Sequence, residues 1–262
     1  MLTCCIMFIA DMLRKARRDE KTVFLHQRVE DAAAPSTFKH MTHRSLIIGA
    51  SGGIGSAITE KLKANGSEVT SLSRSEDGLD VTDEASVVKC LGKATGEYQL
   101  IFVATGALEI SGAVPEKALR DVTAQAMADQ FAVNCIGPAL VMKHALPFLP
   151  RKGPSCFAAL SARVGSIGDN QIGGWYSYRT AKAALNQMVH SAAIELKRTH
   201  RDAVCVALHP GTVATDFTAK YAGRHKTVEP DEAAHNLLSV LEGLGPDDSG
   251  HFYDWQGERV EW

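Results

Sequence analysis

The sequence lacks the charge imbalance and the long apolar runs that mark several classes of protein. Its 28 Lys and Arg residues nearly balance 30 Asp and Glu residues, which leaves a formal net charge of −2. No overall positive field therefore attracts nucleic acid. No apolar run approaches the roughly 18 residues that a membrane-spanning helix needs. These absences predict a protein that binds neither nucleic acid nor a membrane.

The cysteines and histidines also lack the spacing of a metal site. None of the six cysteines forms a CxxC pair, and their spacing fits neither a zinc site nor a disulfide framework. His144 and His190 stand in helix-like stretches without a neighbouring ligand. We therefore predict no metal, and buried thiols in a reducing, cytoplasmic compartment.

The first forty residues lack a recognisable targeting pattern. "MLTCCIMFIA" is apolar but has no preceding basic residue, unlike a secretory signal, and "DMLRKARRDEK" mixes both signs, unlike a transit peptide. We predict an N-terminal extension over 1–41, either disordered or upstream of a true start at Met41, with organellar targeting left open. The folded domain is predicted over 42–262.

What the chain does contain is a regular alternation of strand and helix patterns. Strands are predicted at 45–49, 68–73, 100–104, 155–160, 203–208 and 250–254, with a very short one at 79–81, and helices near 54–64, 83–92, 123–149, 176–199 and 230–242. The nearly continuous apolar runs are typical of strands covered on both faces. This pattern predicts an α/β fold, a single Rossmann-type doubly wound parallel sheet of about seven strands with helices on both faces. Ligands of such sheets bind beyond the carboxyl ends of the strands.

The first strand ends in a glycine-rich loop, "GASGGIGSAI". Glycines there allow a tight turn and bring backbone N–H groups close to a phosphate at a helix N-terminus. The predicted dinucleotide-binding residues of this loop are Gly49, Ser51, Gly52, Gly53, Ile54 and Gly55. Two alternatives stay open: a plain glycine turn, and the GxSxG elbow of a serine hydrolase with Ser51 as nucleophile.

The second strand ends in Ser73 and Arg74 instead of an acidic residue. An acidic residue there would accept from a ribose 2′-hydroxyl, whereas a guanidinium suits a 2′-phosphate. Asp80 follows the next short strand and is a candidate acceptor for an adenine amino group. Thr82 or Asp83 is predicted to begin the following helix.

A tyrosine and a lysine have the spacing of one helix face. In "WYSYRTAK", Tyr178 and Lys182 are four residues apart, whereas Tyr176 and Lys182 are six apart. A nearby ammonium lowers a tyrosine pKa, and such a tyrosine exchanges a proton with a carbonyl or an alcohol. The alternative is a packed tyrosine beside a solvated lysine.

Taken together, the glycine loop, Ser161 after the fourth long strand, Tyr178 and Lys182 resemble the classical short-chain dehydrogenase/reductase family over residues 42–262. The family's glycine motif matches 48–55, with Ile48 in place of threonine, and its NNAG motif matches Val103–Gly106 without the two asparagines. Its PG motif is "HPGTVATD" at 209–216, and the loop between the serine and the tyrosine is longer than the family norm. With the ending "GHFYDWQGERVEW", the chain looks like the C-factor-like, carbonyl-reductase-like branch.

The resemblance implies an oxidoreductase that interconverts a carbonyl and a secondary alcohol. It implies Tyr178 as general acid/base, Lys182 as its partner, Ser161 as a hydrogen-bonding group on the substrate oxygen, and Asn134 in a proton relay. It also adds cofactor-binding residues to those predicted above: Val81, Ala104, Thr105, Gly106, Tyr178, Lys182, Pro210, Gly211 and Val213. The expected cofactor is NADP(H), with NAD(H) as the alternative, and the expected partner is a small carbonyl or alcohol; homodimer and homotetramer both stay open. A dinucleotide-binding sensor with little catalysis and a serine hydrolase remain as alternatives.

Pro138 adds a local expectation about Asn134. Proline has no N–H to donate to the carbonyl four residues earlier, so the Asn134 carbonyl is left free for a water molecule. A simple packing kink explains the same proline equally well.

Overall fold

Six parallel strands form the sheet in the described part of the chain. The computed structural model describes residues 44–215, 217–221 and 227–262. The strands are β1 (Arg44–Ile48), β2 (Glu68–Leu72), β3 (Leu100–Val103), β4 (Ser155–Leu160), β5 (Ala203–His209) and β6 (Phe252–Asp254), in the order β2-β1-β3-β4-β5-β6. The order reverses direction next to β1, which creates the crevice in which ligands of doubly wound sheets bind. The predicted extension over 1–41 lies outside the described residues.

Helices cover both faces of this sheet, as predicted. They are α1 (Gly53–Ala64), α2 (Arg74–Asp77), α3 (Glu84–Leu91), α4 (Ala124–Phe131), α5 (Gly137–Ala145), α6 (Tyr176–Leu196) and α7 (Pro230–Glu242). One apolar cluster includes Leu46, Val141 and Leu185, and the other includes Ile47, Ile58 and Leu237 on the opposite face. Because alternate strand residues point to opposite faces, Leu46 and Ile47 enter different clusters.

The short strand predicted at 79–81 does not form, so the described sheet has six strands instead of about seven. Leu79 is buried, but its N–H returns to the carbonyl of Ser73. The backbone N–H of Asp80 donates to the Ser86 hydroxyl, and the Asp80 carboxylate accepts from Thr82. These local hydrogen bonds replace the pairing that would extend the sheet beyond β2.

The helix predicted at 123–149 forms as a continuous helical segment that changes from α-helix to π-helix and back near its middle. Five residues, Ala132–Ile136, form a π-helical turn between α4 and α5, and Gly137 N–H donates to the carbonyl of Ala132. Pro138 follows immediately, as the second residue of α5. Such π turns often occur at functional sites, and here the turn contains Asn134.

The same helical segment, Ala124–Phe148, is long and apolar enough to cross a membrane by length and composition, although it contains no long uninterrupted apolar run. In the fold it packs against α6, and Val141, Met142 and Ala145 enter the core. A core helix of an α/β protein has the same composition.

Candidate functional site

The glycine loop joins β1 to α1 through a turn that only glycine accommodates well. Gly49 has φ +87°, in the left-handed region, and its N–H donates to the carbonyl of Leu72. A Cβ on Gly55 would lie 2.2 Å from the Gly49 carbonyl oxygen, so α1 approaches the strand end at backbone distance. Gly52 precedes the first turn of α1, and no side chain caps that helix end. The helix N-terminus is therefore available to an anion.

The geometry does not support the hydrolase alternative through Ser51. A nucleophile elbow holds its serine in a strained strand-to-helix turn. Ser51 has no positive φ, and none of the described histidines hydrogen-bonds to it.

At the tip of β2, Ser73 and Arg74 have different roles. Ser73 is buried and caps α2: its hydroxyl accepts from Glu76 N–H, and its own N–H donates to the carboxylate of Asp77. Arg74 is exposed at the start of α2. Of the two predicted residues, Arg74 is the one whose side chain is available to a ligand.

Asp80 lies near this tip, but one of its carboxylate oxygens is already engaged. That oxygen accepts from the N–H and the hydroxyl of Thr82, at 2.9 Å and 2.7 Å. These hydrogen bonds, helped by the charge of Arg74, lower the pKa of Asp80. Asp83 caps the next helix, one of the two predicted caps.

A cavity of about 520 Å³ connects the glycine loop with the tyrosine and the serine. Its lining includes the predicted residues Ser51, Gly52, Gly53, Ile54, Ala104, Thr105, Gly106, Ser161, Tyr178, Lys182, Pro210, Gly211 and Val213. Gly49, Gly55, Ser73, Arg74, Asp80, Val81 and Asn134 are outside that lining. Most of the predicted site residues therefore meet at one cleft.

The chemistry of this cleft fits a dinucleotide. The Thr105 hydroxyl lines it, is buried and has no hydrogen-bond partner among the described residues. An unpaired buried hydroxyl is costly unless a ligand or water satisfies it. Together with the uncapped start of α1, it offers a hydrogen bond and a partial positive charge to the same ligand.

Tyr178 and Lys182 lie on the buried face of α6, as their spacing predicts. Their exposed fractions are 5% and 2%. The Lys182 ammonium lies 5.8 Å from the centre of the Tyr178 ring and donates to the carbonyl of Leu160 at 2.9 Å. That carbonyl ends β4, so the strand fixes the lysine beneath the tyrosine.

The pKa of Tyr178 does not follow the sequence expectation. Burial raises it above its ordinary value, and burial lowers the pKa of Lys182 to about 8. The ammonium is directed at the Leu160 carbonyl, and desolvation of the phenol outweighs its attraction. In this structure the Tyr178 phenol is consequently protonated at neutral pH.

Ser161 follows β4 and has a partner that no sequence motif indicated. Its hydroxyl donates to the side-chain oxygen of Asn186 at 2.6 Å, and both residues are buried. Asn186 is four residues beyond Lys182 on α6. Continuing the i+4 count from Tyr178 would have placed it on the same face.

Asn134 lies in the π turn and binds the loop after β3. Its side chain accepts from Ala107 N–H at 3.1 Å and donates to the Ala107 carbonyl at 2.8 Å and to the Gln130 side chain at 2.7 Å. A Cβ on Gly106 would lie 3.0 Å from the Asn134 oxygen and 3.5 Å from the Lys182 ammonium. Asn134 therefore lies close to Lys182, with Gly106 between them. Gln130, also missed, stands one helical turn before it.

The start of α6 is held by Glu116, a loop residue with no signal in the sequence. Its carboxylate accepts from the N–H and the hydroxyl of Ser177, and its carbonyl accepts from Trp175 N–H at 2.6 Å. Trp175 adopts φ 51° and ψ 40°, a left-handed conformation that is costly for a bulky residue. Glu116 thus fixes the entry into the helix that holds Tyr178.

Two aromatic rings lie close to the ring of Tyr178. Trp175 and Phe217 lie 6.3 Å and 6.2 Å from its ring, measured between centroids. Tyr221 packs edge-on against Trp175, and its hydroxyl donates to Glu109, which also pairs with Lys220 at 2.8 Å. These contacts join the segment after the PG motif to the loop after β3.

His209 borders the cavity, and its Nδ1 atom is buried without a hydrogen-bond partner among the described residues. Burial, then the charge of Arg163, lowers its pKa to about 4. An unfolded chain binds this proton from about pH 6.5 downward, but the folded chain does not, so stability should fall as pH falls from 6.5 to 4. Because part of the residue borders the open cavity, we expect a loss of about 1–2 kcal/mol.

His209→Asn should flatten this part of the stability curve, measured by urea unfolding at pH 7 and pH 5. His235→Asn, an exposed histidine on α7, is the matched control and should leave the curve as it is. An unchanged pH dependence in His209→Asn would contradict the assignment.

Comparisons with known proteins agree with this geometry. A family model described as enoyl-(acyl carrier protein) reductase matches residues 49–242. A 1-hydroxy-2-glutathionyl-2-methyl-3-butene dehydrogenase of Rhodococcus sp. is 30% identical over 230 residues, covering 83% of this chain and 98% of that protein. The C-signal protein of Myxococcus xanthus is 39% identical over 145 residues, covering 55% of this chain and 84% of that protein.

Solved structures share the fold. NADPH-bound carbonyl reductase from chicken fatty liver superposes with a TM-score of 0.74 at 24% identity, covering 88% of this chain and 100% of that chain. The carbonyl reductase Sniffer of D. melanogaster gives a TM-score of 0.68 at 22% identity, covering 85% and 100%. Since the family model extends from the glycine loop through the tyrosine and lysine to the end of α7, this chain belongs to the classical short-chain dehydrogenase/reductase family and is an oxidoreductase.

Proposed function

We propose that this oxidoreductase interconverts a carbonyl and a secondary alcohol with NADP(H), using Tyr178 as general acid/base. One observation carries the proposal: Ser161, Tyr178 and Lys182 line the same 520 Å³ cleft as the glycine loop. A nicotinamide dinucleotide supplies or accepts the hydride. The protein's own task is then to place the substrate oxygen and to move one proton.

The proton step belongs to Tyr178. Its raised pKa keeps the phenol protonated at neutral pH, ready to donate to a carbonyl oxygen. The Lys182 ammonium lies beneath its ring and favours the phenolate that donation leaves behind. Ser161 is positioned to hydrogen-bond the same substrate oxygen.

The phosphate-bearing end of the cofactor belongs to the glycine loop and Arg74. The uncapped N-terminus of α1 suits the pyrophosphate. The exposed Arg74 suits a 2′-phosphate, because a guanidinium binds it through two parallel hydrogen bonds.

A panel of carbonyl compounds tests the function directly. The purified chain should consume NADPH with at least one ketone or aldehyde, and the product should be the alcohol. Cofactor binding without turnover on any member of the panel would overturn the proposal in favour of a dinucleotide-binding sensor, the alternative that the likeness to C-signal favours. An active-site serine probe should leave Ser51 unlabelled; labelling there would restore the hydrolase alternative.

Arg74 should set the choice between the two nucleotides. A hydrogen bond to a charged group contributes about 1.5–3 kcal/mol, roughly tenfold to a hundredfold in affinity. Arg74→Ala should weaken the binding of NADPH by that factor and leave the affinity for NADH nearly unchanged. Added salt should narrow the preference of the unmodified protein, because Arg74 is exposed.

Titration of each protein with both nucleotides measures this effect. Arg198→Ala, an exposed arginine just after α6, is the control and should bind both as before. Ser73→Asp keeps a capping oxygen at the start of α2 but adds a negative charge beside the 2′-phosphate. The affinity for NADPH should therefore fall further than in Arg74→Ala. Equal affinities in the unmodified protein would remove Arg74 as the determinant.

A further inference from the structure

We propose that Asn186 is a positioning residue that holds the Ser161 hydroxyl for the reaction. The inference rests on the proposed function, because it concerns the group that meets the substrate oxygen. Asn186 itself is absent from the described lining of the cavity and acts through Ser161.

The direction of the hydrogen bond follows from the second contact of the Asn186 amide. Its nitrogen donates to the Gly165 carbonyl at 3.4 Å, so its oxygen is the atom that faces Ser161. An amide oxygen only accepts, and the short 2.6 Å contact therefore uses the serine proton. Asn186 and Ser161 are 2% and 4% exposed, so water does not compete for this bond.

The amide is held in this orientation by the turn that follows Ser161. Residues Arg163–Gly165 form a 3₁₀ turn pressed against α6. A Cβ on Gly165 would lie 2.9 Å from the backbone of Lys182, so the turn contacts the helix at backbone distance and cannot take a larger residue without displacement. Ser161, Gly165, Lys182 and Asn186 therefore form one packed unit.

This arrangement determines what Ser161 can do. A hydroxyl has one proton and two acceptor lone pairs. While the proton is bound to Asn186, Ser161 can accept a hydrogen bond from an alcohol or from a protonated tyrosine, but it cannot donate to a carbonyl. Donation to the substrate oxygen requires the hydroxyl to turn away from Asn186. Asn186 thus keeps Ser161 in one rotamer and sets the balance between its acceptor and donor states.

Substitution of the amide separates this role from packing. Asn186→Leu keeps the approximate shape and removes the acceptor, so Ser161 is no longer held as an acceptor for the alcohol. We expect a tenfold to hundredfold fall in the single-turnover rate of alcohol oxidation by NADP⁺, with NADP⁺ affinity unchanged. Asn186→Asp keeps an acceptor oxygen and should stay within about threefold of the unmodified rate. Gln187→Leu, one residue away on the exposed face of α6, is the control and should not change the rate.

A double-mutant cycle gives the readout that a structural role would not produce. If Asn186 acts through the serine hydroxyl, Asn186→Leu should have no further effect on the rate in a Ser161→Ala background. If the two effects multiply, or if Asn186→Asp is as slow as Asn186→Leu, the inference is wrong. Should Asn186→Leu not fold, Asn186→Ala takes its place in the same cycle. Turnover by the unmodified protein is measured first, so failure of the proposed function is seen separately from failure of this cycle.

Discussion

Tyr178→Phe should lower turnover by at least a hundredfold and leave NADPH affinity nearly unchanged. The substitution removes one hydroxyl and almost no contact area, while general acid/base catalysis contributes roughly 10²–10⁴ in rate. The ring contacts with Trp175 and Phe217 are retained in the variant. Steady-state rates with the best substrate of the carbonyl panel, and titration with NADPH, measure the two quantities.

Tyr176→Phe is the matched control, since it makes the same change two residues away. Tyr176 begins α6, six residues before Lys182, and does not share a helix face with the lysine. We expect less than about a threefold effect on the rate. If Tyr176→Phe is inactive and Tyr178→Phe is active, the register of the tyrosine–lysine pair is wrong.

Gly55→Ala should destabilise the protein and abolish dinucleotide binding together. The added Cβ would lie 2.2 Å from the Gly49 carbonyl oxygen and 2.9 Å from the Gly49 carbonyl carbon. Both are backbone atoms, so relief requires α1 to move away from the end of β1. Overpacking of this kind costs about 1–3 kcal/mol, and the same movement displaces the helix N-terminus from the cleft.

Gly52→Ala is the matched control, because it also replaces a glycine of the loop by alanine but creates no close contact. A Cβ there would meet nothing closer than the Gly49 oxygen at 3.5 Å, an ordinary contact, and its φ of −75° suits alanine. Its unfolding free energy should fall by less than about 1 kcal/mol. Equal destabilisation of the two variants in denaturant unfolding would show that close approach at Gly55 is not the cause.

Local patterns were sufficient for the sheet and for the tyrosine–lysine pair. β4 and β5 are buried along nearly their full length and follow the predicted apolar runs closely. Tyr178 and Lys182 share a face because helix geometry alone fixes positions four residues apart. The glycine loop was also predictable from local sequence, because a left-handed turn at Gly49 restricts the residue type at that position.

The failed strand at 79–81 shows where local pattern stops being sufficient. Leu79 is buried as a strand residue would be, so its apolar character was read correctly. The sequence pattern did not indicate that the Asp80 N–H would bond to Ser86 and the Asp80 carboxylate to Thr82. A choice between sheet pairing and local hydrogen bonds depends on which partner is nearer in space.

The sequence by itself determined the order of the candidate site residues along the chain: a glycine-rich loop first, a serine after β4, then a tyrosine and a lysine on one helix. Only the tertiary structure decided how those groups are held. The hydrogen bonds that hold them are Ser161–Asn186, Lys182–Leu160 and, at the start of α6, Ser177–Glu116. The tertiary structure also decided the pKa of Tyr178, which burial raises although a lysine lies beside it. The physical reason is the same in each case. Helix and strand periodicity arise from neighbours in the chain, whereas burial and side-chain hydrogen bonds arise from residues that folding brings together, such as Glu116 and Ser177, 61 positions apart.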